Sequence, residues 1–174
     1  MTPDLTRLRE KLDDLESLVS ELELELVDDP HWAEPSDTSY LSAKDRENPD
    51  IMSNVEAMAA TNKLIAWFGR DMEGFVGLWR GPDSAPLEKA PVLRLDSEGQ
   101  YDMVAATIGD YLLISASGDD FAANRTTLVE AGFDVASSPD AIWDALDGFA
   151  CPNDYRHVLY NEARVRRGLK PIEG

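Results

Sequence analysis

Two histidines and one cysteine, His31, His157 and Cys151, are the side chains whose ordinary chemistry at neutral pH would suit a base, a nucleophile or a zinc ligand. Zinc sites are built from closely spaced ligand pairs, and none of the three sits at such a spacing from another. Cys151 and His157 lie six residues apart, which matches no thiol–imidazole motif. A lone cysteine packs as a small hydrophobe, so Cys151 is expected in the core. Asp28 and Asp29 beside His31 could hold a cation, but a proline-rich stretch is more simply read as solvated surface. No G-x-S-x-G string marks a serine nucleophile. Gly74 and Gly77 lack the lysine or further glycines of a phosphate loop. The residue types thus indicate no catalytic site, no metal and no cofactor. A hydrolase would need a ligand-sized pocket lined by carboxylates together with Cys151 or His157.

Negative charge is what the chain has in quantity: 34 Asp plus Glu against 16 Lys plus Arg, a formal charge of -18 over 174 residues. Phosphate-bearing partners are disfavoured by that field, so neither nucleic acid nor a membrane is expected to be bound, whereas a basic protein is attracted. The charge is uneven. The first sixty residues hold five basic against sixteen acidic side chains, and the last twenty hold five basic against two acidic, so the two ends should attract one another within one chain. One cysteine leaves no intramolecular disulfide, and no run approaches the roughly 18 apolar residues that span a bilayer. Met1 to Lys11 carries Asp4 and Glu10 and does not read as a signal peptide, so a cytoplasmic protein is expected.

These side chains need a scaffold, and a length of 174 residues with 43% hydrophobic content suits one domain, 1–174. The central stretch is Gly74 to Ala116. Phe75–Trp79 and Val92–Asp96 read as strands, Ile65–Phe68 pairs with the first as a hairpin across GRDMEG, and SEGQ turns the chain after the second. Within Tyr101–Ser115, Ile108, Leu112 and Ile114 are expected on a helix covering the sheet, and Thr107–Leu113 reads as a helix start with Asp110 in its first turn. Further helices are expected at Asn54–Ile65, at Phe121–Ala131 with Phe121, Leu128 and Val129 inward and Gly132 as its stop, at Pro139–Leu146, and as a basic C-terminal helix within 153–174.

Leu5, Leu8, Leu12, Leu15, Val19, Leu22 and Leu26 alternate spacings of three and four after a Thr2–Pro3 start, the signature of an amphipathic helix. Two uses of that face stay open: packing on the domain's own sheet as a monomer, or a coiled-coil seam making a homodimer. Glu21 to Leu26 also alternates with a period of two, but its continuity with the residues before it assigns it to the helix. Residues 28–50, with Pro30, Pro35 and Pro49, read as a long surface loop with one short turn around Tyr40. Trp67 and Trp79 are expected in the core, while Trp32 in the acidic loop could either anchor a partner or fold back onto the sheet.

An amphipathic helix, a loop, then Gly74–Trp79 (GFVGLW), Pro91–Asp96 (PVLRLD) and Thr107–Leu113 (TIGDYLL) resembles the SMI1/KNR4-like, or SUKH, superfamily over about 45 central residues. The resemblance implies an α+β fold with a central, mostly antiparallel sheet flanked by helices. It also implies a non-catalytic domain of the kind that bacterial members use as immunity proteins, binding and neutralising toxin domains that are often nucleases. The 28–50 loop and the basic C-terminal helix depart from that pattern. An acidic inhibitor suits a basic nuclease site, which it can approach by steering and then occlude. The partner surface expected on this basis is Glu21, Glu23, Glu25, Asp28 and Asp29 with Trp32 as apolar anchor. A regulatory or scaffold module of the same fold, binding an endogenous protein, is the alternative.

Overall fold

The computed structural model describes residues 2–27, 35–116 and 120–172. In order these form α1 (Pro3–Glu10), α2 (Glu16–Glu21), β1 (Glu25–Leu26), α3 (Ala43–Glu47), α4 (Pro49–Asn62), β2 (Ile65–Asp71), β3 (Gly74–Trp79), β4 (Val92–Asp96), β5 (Tyr101–Ala105), α5 (Ile108–Ser115), α6 (Phe121–Glu130), α7 (Pro139–Asp144) and α8 (Pro152–Arg166). The five strands make one sheet in sequential order, every neighbouring pair antiparallel. The fold is α+β, a central antiparallel sheet with flanking helices.

Alternation along the strands gives the sheet two apolar faces, and helices cover both. Val76, Leu78, Val92 and Val104 lie on the front, packed with Leu8, Leu15, Leu18 and Leu22 of the N-terminal segment, Tyr111 and Leu112 of α5, Leu128 of α6 and Ile142 of α7. Ile65, Trp79, Leu93, Leu95 and Tyr101 lie on the back with Met58 of α4 and Tyr155 of α8. Each fully buried leucine contributes on the order of 1.5–3 kcal/mol. The leucine stripe is therefore packed within the chain's own front layer.

That stripe is not one helix. After α1 the chain turns through residues 11–15, where Lys11 Nζ donates to Asp14 at 2.8 Å and the Asp13–Asp14 pair favours turn over helix. After α2, Leu24 N donates to Val19 O and Glu23 N to Ser20 O, with Glu23 in the left-handed region at φ 50°. This is a Schellman stop built on a glutamate instead of a glycine. The chain then leaves as a strand, and Glu25 and Leu26 pair with Arg70 and Gly69. The period-two pattern of Glu21 to Leu26 is thus the one that Glu25–Leu26 obeys, against the helical expectation.

Other boundaries also moved. Tyr101–Ala105 is a strand that the sequence pattern does not separate from the helix after it, because Met103, Val104 and Ala105 lead directly into the apolar start of α5. Pro49 does not break structure but starts α4, with the Asn48 side chain accepting from Asp50 N and Ile51 N, and α3 precedes it inside the expected loop. Cys151, expected in the core, is exposed at the start of α8, and Val129, expected inward, is exposed on α6. Trp79 is buried as expected, while Trp67 is only half-buried. The free edge of β5 is blocked by a side chain: Asn153 Oδ1 accepts from Tyr101 N at 3.2 Å and its Nδ2 donates to Tyr101 O at 2.8 Å.

Candidate functional site

A β-bulge sets up the front end of the sheet. Trp67 lies opposite Gly77 but Gly69 lies opposite Val76, so Phe68 is an extra residue on β2 and everything after it changes face. A side chain at Gly69 would meet Glu25 O and Leu24 Cδ1 at 2.9 Å, which is why a glycine follows the bulge. The consequence falls on Asp71. Instead of sharing the back face with Ile65 and Trp67, it turns to the front and meets Arg94 of β4 and Tyr111 of α5.

Asp71 is fully used there. Its Oδ1 accepts from Glu73 N and Gly74 N, both at 3.0 Å, closing the two-residue hairpin between β2 and β3. Oδ2 accepts from Arg94 Nε at 2.9 Å and Nη2 at 2.6 Å, and from the Tyr111 hydroxyl at 2.9 Å. Arg94 Nη1 reaches Glu73, whose side chain is 60% exposed, whereas the Arg94 and Asp71 side chains are 12% and 0% exposed. Burial, then the Asp71 charge, pushes the Tyr111 hydroxyl well above its ordinary value, so it stays a donor. Burial acts against the Arg94 charge, but the Asp71 hydrogen bond and the Asp71 and Glu73 charges outweigh it and raise its pKa. The cluster locks hairpin, strand and helix together.

Beside this lock opens a cleft of about 180 Å3. Its walls are Leu22 after α2, Met72 and Glu73 at the hairpin tip, Arg94, Val104, Ile114 with Ser115, and Trp143 on α7. Met72 N donates to Leu22 O, which ties the hairpin tip to the turn carrying Glu21 and Glu23. Met72 is 61% exposed and Trp143 50% exposed, beside Arg94, the only cation of the lining among the described residues, which two carboxylates already hold. Asp102, exposed on β5, lies opposite Arg94 in the strand register. Methionine, tryptophan and arginine are the residue types enriched where proteins meet.

Of the surface expected from sequence, Glu21, Glu23 and Glu25 are all exposed, around the turn from α2 to β1, with no salt bridge among the described residues. Asp28, Asp29 and Trp32 lie outside the described residues, as does His31. His157 contacts the Asn161 amide through Nε2 at 3.0 Å, and Cys151 caps α8; neither lines the cleft. Among the described residues, no three His, Cys, Asp or Glu side chains are grouped to hold a metal ion, and no helix is long and apolar enough to cross a membrane. Sequence reasoning missed Arg94, Asp71, Met72 and Trp143. The available signal was Arg94, a charge at an inward position of a strand otherwise reading as core.

A second charged region lies on the back layer. Arg164 pairs with Asp50, and Arg166 and Arg167 both pair with Glu56, joining the basic end of α8 to the acidic side of α4. The expected attraction between the acidic first sixty residues and the basic tail takes this form. The Tyr160 hydroxyl, then Arg164, holds Asp50 below its ordinary value, and Arg167 with Arg166 does the same for Glu56. Comparison of the chain with family models, with characterised proteins and with solved structures finds no match.

Proposed function

We propose that this chain acts by binding another protein, and that the partner is a basic toxin domain, of nuclease type, which it neutralises as a cytoplasmic immunity protein of SUKH type. The observation that carries the reading is that the Met72–Trp143 cleft, with its exposed apolar anchors, is lined by Glu73 and by Leu22, which exposed Glu21 and Glu23 flank in the chain. A cleft of about 180 Å3 is small for a metabolite, since small-molecule pockets run to roughly 300–1,000 Å3. It suits a protruding side chain. The strained backbone of Glu23 adds support: a glycine would close α2 at lower cost, and a glutamate there holds a charge at a fixed, exposed point.

Steering by a field of this sign raises the association rate with a basic protein, and occlusion of a phosphate-binding surface inhibits without chemistry. The test is capture from lysates of the host and of closely related competing strains, with identification by mass. The reading expects one basic partner, released by moderate salt and toxic when expressed alone. An acidic or housekeeping partner would move the domain to the regulatory class.

A further inference from the structure

Resting on that protein-binding reading, we propose that the cleft between Met72 and Trp143 receives one lysine or arginine side chain of the partner, its aliphatic stem against the indole and its charge beside Glu73. Three observations select this occupant. The Arg94 guanidinium is held by Asp71 and Glu73, so the three together carry net negative charge, and Asp102 across the register adds to it. A carboxylate entering the cleft would be repelled, and a purely apolar group would strip water from Glu73 without replacing its hydrogen bonds.

The chain also makes the same contact repeatedly within itself. Arg7 lies over Phe133 at 5.3 Å, Arg164 over Tyr160 at 5.4 Å, Arg156 over Tyr101 at 5.8 Å and Arg70 over Phe75 at 5.9 Å. Tryptophan is the strongest ring for such stacking, yet Trp143 has no cation over it among the described residues. Its half-exposed indole stands with Met72 over a floor that the Asp71–Arg94 lock makes rigid. Such preorganisation lets a single side chain bind without first ordering its site.

The test is NMR of the Trp143 indole N–H, assigned by its loss in Trp143→Phe, while the intact protein is titrated with N-acetyl-lysine methylamide and, separately, with the neutral norleucine analogue. The expected result is a saturable shift with the lysine compound at about millimolar concentration. The norleucine response should be weaker by about fivefold or more, a preference that Glu73→Gln removes. No response to lysine, or an equal response to both compounds, overturns the proposal. So does a Trp143 shift that depends on protein concentration alone, which would make a second copy the occupant. With a captured partner, a loss of about tenfold or more in affinity on Trp143→Ala supports the proposal. Unchanged affinity would overturn the cleft's role and leave the protein-binding reading standing, whereas the failure to capture any basic partner would remove that reading while the lysine titration still decides what the cleft accepts.

Discussion

The two charged regions of the molecule are built from the same residue types and arranged in opposite ways. On the back, the carboxylates of α4 are paired with the arginines of α8, and the ion pairs join two helices packed against one layer of the sheet. At the front, Arg94 is sunk between Asp71 and Glu73, while Glu21, Glu23 and Asp102 stand exposed with no salt bridge among the described residues. Carboxylates are thus held in ion pairs between α4 and α8 and left without them around the turn after α2. Carboxylates left without ion pairs beside the apolar cleft favour the approach of a basic partner.

Breaking the front lock should have the largest effect on stability. Asp71→Ala leaves the Tyr111 hydroxyl buried without its acceptor and the sunken Arg94 with only the exposed Glu73, and should cost about 3–5 kcal/mol in urea unfolding. On the back, the pairs lie near the surface and each is weak, but they respond to pH. The carboxylates of Asp50 and Glu56 are depressed below ordinary values of 3.8 and 4.5. Their contribution is complete above those values and is lost as pH falls through the lower folded ones. The urea midpoint of an Asp50→Asn, Glu56→Gln variant should lie below wild type at pH 7 and converge with it from about pH 4.5 downward. Smallest, and opposite in sign, is Glu23→Gly. Relief of the left-handed backbone, less the added freedom of the unfolded chain, should stabilise by about 0.5–1 kcal/mol, while affinity for a basic partner falls.

The sheet was legible in sequence where the signal was local. The Ile65–Phe68 and Phe75–Trp79 runs, Val92–Asp96, the Thr107 cap, and the Ser138–Pro139 start all declare themselves through alternation, turn residues and caps. Tyr101–Ala105 did not, because Met103, Val104 and Ala105 run on into the apolar start of α5. The end of the N-terminal leucine pattern did not either: the stop at Glu23 uses a residue with no propensity for the left-handed region, and only the pairing of Glu25–Leu26 with β2 shows why the chain turns there. The acidic half of the candidate site was legible as composition. Its apolar half was not, because Met72, Arg94 and Trp143 come from three separate elements. What unites them is the bulge at Phe68, which turns Asp71 to the front face.

The claim that function resides at the acidic front end is tested most directly by growth of cells expressing the captured toxic partner together with variants of this chain. Trp143→Ala and a Glu21→Gln, Glu23→Gln double, each checked for unchanged thermal unfolding, should fail to restore growth, while Asp50→Asn, Glu56→Gln at the back should protect as wild type does. Protection by both front-end variants, or its loss only with the back-end variant, would contradict the account.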